Sequence, residues 1–385
     1  MNDNKYDIRS KCVFCNSTLN KTLFEEDLKN YVAHYAVDVD EKDFVSIPYN
    51  VCLCSVCKTP QTKYLAKLED VYRINHADST GTTMINLHKE SLKMILKYKD
   101  HIKNIVEIGS SVGVLADMIL DNIDLIYNII EPSYFGNIDK KVIYGDFYEN
   151  IDDTIIDANT MIISHVFEHF YNPKEIVDKI HKNKNIENLF LVFPDLEHYI
   201  NNNVIHVLNT EHTYYVDNNF LVEFFKSNGF NLVEQSNYKN HSVLFYFKRK
   251  EDDTKKIFEF KNENYDIEKY FDTIYDTISS FNEIILNNKN TYLWPASIHT
   301  LYLMIFGLDY KNITGFLDNS SLKIKKKMYG ADKIVYSFYD KIKEDSIVLI
   351  NGGIFNSEVE DLLKDNKVKY YIYSKKELVD SIKSE

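Results

Sequence analysis

The sequence predicts an α/β protein built on a Rossmann-like, mostly parallel seven-stranded sheet, with a small cysteine module before it and a second Rossmann-like α/β domain after it. Three observations predict this. Two C-x-x-C pairs lie close to the N-terminus, and no cysteine follows Cys57. From Thr82 to about Lys250, short apolar strands alternate with helical patterns, and the first strand and helix are joined by a glycine turn. After a long amphipathic stretch, the strand and helix alternation begins again at Thr291. A length of 385 residues exceeds one ordinary core and suggests roughly two to three folding units. The expected boundaries are 1–75 for the cysteine module, 76–250 for the nucleotide-binding core, 251–290 for a linking helix and 291–385 for the second α/β domain.

With 44% hydrophobic and 14% aromatic residues the chain has ample apolar material for these cores, and a mostly disordered chain is excluded. Lys and Arg number 45 against 58 Asp and Glu, so the formal charge is -13. The one basic run is the short Lys323–Lys327. Nonspecific nucleic-acid binding or docking on an anionic membrane would call for a basic face, so neither partner is expected. The apolar stretches Ile102–Ile108 and Leu189–Phe193 have strand length, far below the roughly 20 residues of a membrane helix. Met1–Ser10 is polar and lacks an apolar signal core, which predicts a cytoplasmic protein.

In the N-terminal module, Cys12 and Cys15 form one pair and Cys54 and Cys57 the other. Each C-x-x-C turn supplies two thiolates, and two turns together make the closed tetrahedron of a structural zinc. A disulfide is disfavoured in a reducing compartment, and a thioredoxin-type redox site needs a single C-x-x-C inside a βαβ unit. Cys52 is expected to be a bystander.

The core begins with a helix over Thr82–Asp100, where Ile85, Leu92, Ile95 and Leu96 share a face. The strand Ile105–Ile108 then runs into Glu107-x-Gly109-Ser110-x-x-Gly113, and Val114–Leu120 reads as a helix. Strand, glycine turn and helix let the backbone approach a cofactor and aim a helix N-terminus at it. The spelling E-x-G-x-x-x-G departs from the three-glycine pattern that dinucleotides favour. The second strand, Leu125–Ile130, ends at Glu131, placed to accept the ribose hydroxyls. The third, Val142–Tyr144, ends in Gly145-Asp146-Phe147, where Asp146 and Phe147 are the expected adenine contacts. The fourth, Met161–Ile163, leads into Ser164-His165-Val166-Phe167-Glu168-His169. The fifth, Leu189–Phe193, ends in Pro194-Asp195, and Asn231–Tyr238 and Ser242–Lys248 close the sheet. Strand-end residues are where such sheets bind ligands, so Glu107, Gly109, Ser110, Gly113, Glu131, Asp146, Phe147 and Ser164 are the candidate cofactor contacts.

These motifs, Glu107-x-Gly109-x-x-x-Gly113, Glu131, Gly145-Asp146-Phe147 and His165-Val166-Phe167-Glu168-His169, resemble the class I S-adenosylmethionine-dependent methyltransferases over Thr82–Lys250. The order of domains narrows the resemblance to the deoxysugar C-methyltransferases. Pro48, Cys54, Cys57 and Gln61 keep that family's module spacing, and Glu211-His212-Thr213-Tyr214-Tyr215 matches its Glu-His pair ahead of aromatic residues. The resemblance implies S-adenosylmethionine and a structural zinc as cofactors, and a nucleotide-linked keto-deoxysugar as the small-molecule substrate. It also implies an enolate route: His212 as base, Glu211 orienting it or holding a sugar hydroxyl, His169 against the enolate oxygen, and Tyr72 in the active site. Two departures stand out. Asn209-Thr210 replaces the family's Tyr-His, and His165 stands where Asn is common. His165 with Glu168-His169 reads like the general small-molecule methyltransferases, many of which act on oxygen, so oxygen or nitrogen methylation is the competing expectation.

Toward the C-terminal end, Ile267, Tyr270, Phe271, Ile274, Ile278, Phe281 and Ile285 follow helical spacing, predicting one amphipathic helix across about Asp253–Asn288. Strand Thr291–Trp294, helix Ile298–Gly307, strands Ile313–Asp318 and Ser346–Ile350, and helix Glu358–Leu363 follow. The resemblance implies that this domain helps hold the nucleotide-sugar; the alternative expectation is that it only supports the fold. The turn Trp294-Pro295-Ala296-Ser297 lacks a glycine, which leaves Asp318-Asn319 and Asn351-Gly352-Gly353 as its polar candidates.

Overall fold

The strand expected at Ile105–Ile108 lies at the centre of a seven-stranded sheet in the computed structural model. Residues 6–31, 45–72, 82–208, 211–251, 256, 258–262, 265–321, 323–343, 345–351, 353, 356–373 and 378–379 are described. The chain packs as two units. The first comprises Met1–Glu25, Tyr49–His198 and Thr210–Tyr265; the second comprises Glu26–Pro48, Tyr199–Asn209 and Asp266–Glu385.

The short N-terminal elements are β1 (Tyr6–Ile8), β2 (Lys21–Tyr31), β3 (Val45–Leu53), β4 (Pro60–Thr62), β5 (Tyr64–Ala66) and α1 (Leu68–Val71). β1 pairs antiparallel with β5, and β2, β3 and β4 form a three-stranded sheet in that order. The core strands are β6 (Ile105–Ile108), β7 (Tyr127–Ile130), β8 (Lys141–Tyr144), β9 (Thr160–Ser164), β10 (Asn188–Pro194), β11 (Phe230–Tyr238) and β12 (Ser242–Arg249). Their spatial order is β8-β7-β6-β9-β10-β12-β11, with β12 antiparallel to both of its neighbours. This is the Rossmann-like, mostly parallel seven-stranded sheet expected from the sequence.

Every residue of β6, β7 and β10 is buried, because helices cover both faces and leave no room for alternation. The covering helices are α2 (Thr82–Lys97), α3 (Val114–Leu120), α4 (Pro173–Lys182), α5 (Leu196–Asn201) and α6 (Asn218–Ser227). Leu87 and Ile95 of α2 and Leu115 and Ile119 of α3 pack with Ile105, Ile129 and Ile162 of the sheet. Pro173 occupies the first turn of α4, where a missing N–H costs nothing, and Asp217 caps α6 by accepting from the Phe220 N–H. The turn Tyr238–His241 joins β11 to β12, with φ of 46° at Lys239 and 54° at Asn240 and the His241 N–H bonded to the Tyr238 carbonyl. Two successive positive φ values make it a type I′ hairpin turn, whose twist matches the strands it joins.

The second unit contains α7 (Ile267–Asn287) and a six-stranded sheet. The expected start of this helix at Asp253 is corrected. Residues 258–262 and 265–266 are not helical, and Asp266 caps the helix by accepting from the Lys269 N–H; Asp253 itself lies outside the described residues. The apolar face is as expected: Ile267, Tyr270, Phe271, Ile274, Ile278, Phe281 and Ile285 are all buried. The sheet is formed by β13 (Thr291–Trp294), β14 (Gly315–Leu317), β15 (Val335–Tyr336), β16 (Ile347–Ile350), β17 (Lys369–Ile372) and β18 (Leu378–Val379). Its order is β15-β14-β13-β16-β17-β18, parallel except for β18. Helices α8 (Ile298–Ile305), α9 (Phe338–Lys341) and α10 (Asn356–Asp365) complete it. Of the polar candidates in this domain, Gly352 lies outside the described residues.

Candidate functional site

The four expected cysteines converge. Cys12 Sγ lies 3.4 Å from Cys57 Sγ and Cys15 Sγ 3.5 Å from Cys54 Sγ, and all four sulfurs lie within 4.8 Å of one another. Thiolates around a tetrahedral zinc with bonds of about 2.3 Å sit about 3.8 Å apart, so the spacing fits that ion. Both turns have the same backbone: Asn16 and Lys58 adopt φ of 61° and 58°, and their N–H groups bond Cys12 O and Cys54 O, each at 3.0 Å. Polar neighbours orient the sulfurs. Gln61 donates from Nε2 to Cys12 Sγ at 3.2 Å and accepts the Val13 N–H at 3.1 Å, Ser17 Oγ lies 3.0 Å from Cys54 Sγ, and Thr59 Oγ1 lies 3.2 Å from Cys57 Sγ. Hydrogen bonds from Cys12 and Cys57 hold the Cys54 thiol down, while Cys12 is raised to about 11, first by its hydrogen bond with Cys54. Four thiolates in this space would need a cation to offset their charge. Cys52 lies apart from the cluster, its Sγ bonded to Asn50 Oδ1 at 2.9 Å.

At the topological switch of the core sheet, between β6 and β9, the glycine turn bends back on itself. Gly109 has φ of 71°, and a Cβ there would come within 2.2 Å of Val166 Cγ2 from the loop after β9. Glu131, at the end of β7, accepts the Ser111 N–H on Oε2 and the Ser133 N–H on Oε1, each at 3.1 Å. Glu107 turns inward instead, accepting from Ser110 Oγ and Tyr127 OH at 2.8 Å each, and burial pushes its carboxyl up to about 7. Asp146 Oδ1 accepts from its neighbour Phe147 N–H at 2.7 Å and from Asn150 at 2.8 Å. A Cβ added at Gly145 meets nothing within 4 Å, so the end of β8 is open. Ser164, the last residue of β9, stands between this turn and the histidine segment.

Beyond the ends of β9 and β10, the expected catalytic residues meet. The Tyr72 hydroxyl lies 2.9 Å from His169 Nδ1, and Glu211 Oε2 lies 3.7 Å from the same nitrogen. The His169 and His212 rings meet edge to face at 5.1 Å, and His169 Nε2 faces Glu168 Oε1 at 4.0 Å. Tyr72 joins this cluster to the loops after β7 and β8: its ring lies 6.0 Å from Phe147, and its carbonyl accepts from Ser133 Oγ at 3.4 Å. Burial, reinforced by Glu211, lifts the Tyr72 phenol well above its usual value, so it stays protonated. His165 stands behind the cluster, with Nδ1 3.3 Å from Glu168 Oε1 and Nε2 2.9 Å from Ser242 Oγ. Asn209 and Thr210, the departure from the family pattern, lie outside the described residues.

Sequence reading missed how the cysteine module is tied to this cluster. The Thr62 N–H bonds Thr213 O at 3.0 Å, and the Tyr215 N–H bonds Pro60 O at 2.9 Å, so β4 pairs with the segment that carries Glu211 and His212. Arg9, only 7% exposed, donates from one nitrogen to Thr62 O and Thr213 O at 3.1 and 2.6 Å and from another to Tyr171 O at 2.7 Å. Phe14, inside the first C-x-x-C, packs edge-on against Tyr214, Phe220 and Phe224 at 4.9–5.1 Å. Main-chain carbonyls carry no sequence signature, so no motif announces Arg9.

No family model matches the sequence, and no curated protein matches it. Solved structures do. Magnesium protoporphyrin IX methyltransferase from Synechocystis PCC 6803 aligns at 12% identity and a TM-score of 0.32 over 43% of this chain and 80% of its own. The 1,6-didemethyltoxoflavin-N1-methyltransferase of Burkholderia thailandensis aligns at 7% identity and a TM-score of 0.37 over 56% of this chain and 99% of its own. Likeness at this level carries no argument about activity, and the fold stands on the strand order of the chain itself. Among the described residues, no helix is long and apolar enough to cross a membrane.

Proposed function

We propose that this chain is an S-adenosylmethionine-dependent methyltransferase acting on a carbon next to the carbonyl of a nucleotide-linked keto-deoxysugar. The observation that carries the reading is the position of Tyr72. It touches Phe147 at the nucleotide end of the sheet and His169 in the histidine cluster, so one side chain borders both halves of a transfer site. In this reading Glu131 takes the ribose hydroxyls, Gly109, Ser110 and Gly113 form the close-approach turn, and Asp146 and Phe147 border the adenine in the open space at Gly145. Glu107 and Ser164 support the turn from behind. S-adenosylmethionine, when bound there, supplies an electrophilic methyl group on a sulfonium. His212 takes the proton from the acceptor carbon while Glu211 orients the cluster, and the protonated Tyr72 and His169 steady the negative charge that moves onto the carbonyl oxygen. The acceptor carbon gains the methyl, the carbonyl reforms, and the proton leaves by way of His212.

The Cys12, Cys15, Cys54 and Cys57 site is proposed to hold zinc in a structural role, since all four positions of the tetrahedron are filled by protein. The nucleotide carrier is assigned to the second unit. There α8 begins at Ser297, whose buried Oγ has no hydrogen-bond partner among the described residues, at the carboxyl end of β13. Asp318 follows β14, with Lys323 Nζ 2.9 Å from its Oδ2, and Asn351 follows β16. A helix N-terminus and a lysine favour a diphosphate.

Calorimetric titration of S-adenosylhomocysteine, and separately of thymidine and guanosine diphosphates, into zinc-loaded protein tests the assignment. Binding of the cofactor product and of one diphosphate is expected. Folded protein that takes up no S-adenosylhomocysteine would remove the central claim. Oxygen or nitrogen methylation of a sugar or other small metabolite is the second reading, favoured by His165 standing where Asn is common among the C-methyltransferases. Deuterium exchange at the acceptor's ring carbon without methyl donor separates the two: it occurs only where that carbon is deprotonated.

A further inference from the structure

Glu168 is wholly buried, and its two oxygens differ. Oε1 lies between His165 Nδ1 at 3.3 Å and His169 Nε2 at 4.0 Å, while Oε2 has no hydrogen-bond partner among the described residues. A buried carboxylate depends on the N–H groups aimed at it. His165 is the group so aimed, and it holds φ of 52° in order to be there. A non-glycine residue in that region is strained and persists where the surroundings impose it.

The polarity of the contacts behind His165 follows from this anchor. A ring that donates from Nδ1 to Glu168 Oε1 is left with Nε2 as its acceptor. Ser242 Oγ, 2.9 Å away, must therefore donate to Nε2. Having given its proton, the same oxygen accepts from His241 Nδ1 at 2.7 Å. Burial depresses His241 to about 4, so near neutral pH its ring has one donor and one acceptor nitrogen, as the sequence of contacts requires. The I′ turn at Lys239–Asn240 places His241 and Ser242 side by side at the foot of the β11–β12 hairpin, with Ser242 opposite Pro194 of β10. His241 is only partly buried.

We propose that His241, Ser242 and His165 form a positioning chain that delivers one N–H to Glu168 and thereby fixes the orientation of the carboxylate facing His169 and His212. It deepens the methyl-transfer reading, since it rests on His169 and His212 being the groups that touch the acceptor. The chain assigns His165 a role at one remove from the reaction and gives the turn between the last two strands a part in it. The ionisable groups that bear on its inner end are Tyr72, Glu168, Glu211 and His212 around His169, and those around His165 are His88 of α2, Glu168 and His241.

The test uses full-length, zinc-loaded protein with ¹⁵N-labelled histidine and reads ring tautomers and titration midpoints by NMR. Ser242→Ala is expected to move the midpoints of His169 and His212 by about half a pH unit, about threefold in proton affinity, although it touches neither ring. His241→Asn, which keeps an N–H for Ser242, is expected to leave them close to wild type, and His241→Leu to reproduce Ser242→Ala. If Ser242→Ala alters only His165 and His241, the contacts are local packing and the proposal is overturned. Unchanged circular dichroism shows that the variants remain folded, and S-adenosylhomocysteine binding is measured separately by calorimetry. Neither readout needs an acceptor: coupling in a protein that binds no S-adenosylhomocysteine would reject methyl transfer while sustaining the chain.

Discussion

Gly109 and Glu107 sit two residues apart and meet opposite demands. Gly109 must be glycine twice over: its φ is 71°, and a Cβ would overlap Val166 Cγ2 at 2.2 Å. Gly109→Ala is expected to cost about 1–2 kcal/mol for the left-handed backbone alone, with the overlap in addition, so pairing it with Val166→Ala should restore only part of the loss in a urea titration. Full restoration would mean that backbone strain plays no part. Glu107 was expected to touch cofactor from its position in the motif, yet its carboxylate is directed into the core. Burial raises it from an ordinary 4.5 to about 7. The folded chain therefore holds a proton that the unfolded chain has released, and stability falls as pH rises from about 4.5 to about 7. Glu107→Gln should remove up to about 3 kcal/mol of that slope. Parallel pH dependences for variant and wild type in urea would sink the assignment.

At the scale of elements, the two C-x-x-C turns and the Glu211-His212 segment behave as one object. β4 pairs with Thr213–Tyr215, Arg9 clamps the carbonyls on both sides, and Phe14 wedges into the aromatic cluster of α6. If the four thiolates hold zinc, losing the ion loosens the turns that carry Arg9's neighbours and Phe14, while the glycine turn and β7 rest on their own core. Cys54→Ser is thus expected to abolish zinc retention and to raise amide exchange at Tyr215 at least tenfold, the loss of about 1.4 kcal/mol of local protection. S-adenosylhomocysteine affinity should stay within about threefold of wild type. Exchange at Tyr215 that ignores zinc would show that the module is an independent appendage. Arg9→Met makes the same test from the other side, because it removes the clamp and leaves the four sulfurs in place.

For the whole molecule, the division into two packed units predicts two separable ligand responses. S-adenosylhomocysteine at a hundredfold excess over its Kd is expected to stabilise the first unit by about 2.7 kcal/mol, and thymidine or guanosine diphosphate to act on the second. Proteolysis followed by mass spectrometry would locate each effect. Protection by a diphosphate confined to the first unit would remove the nucleotide assignment from Ser297 and Asp318. The charge of -13 belongs to this scale as well. It sets a field that disfavours polyanions, and it follows from composition without reference to any fold.

What the sequence determined by itself was whatever is encoded locally. The order of strands and helices in the core followed from apolar runs, the glycine turn from its spelling, and the sulfur cluster from two C-x-x-C turns, because each is specified within a few residues. The apolar face of α7 was legible for the same reason, whereas its start was not: the amphipathic pattern extended back toward Asp253, and only the Asp266 cap shows where helical hydrogen bonding begins. Short strands such as β15, two residues long, carry too little periodicity to read. The tertiary structure alone decided which side chains share a space. Tyr72 and His169, 97 residues apart in sequence, meet at 2.9 Å, and Ser242 reaches His165 across 77 residues. Arg9 finds Thr213 across 204. Their partners are carbonyls, hydroxyls and ring nitrogens that any sequence supplies in abundance, so proximity, set by sheet order and by the closing of long loops, is the information that a linear pattern lacks.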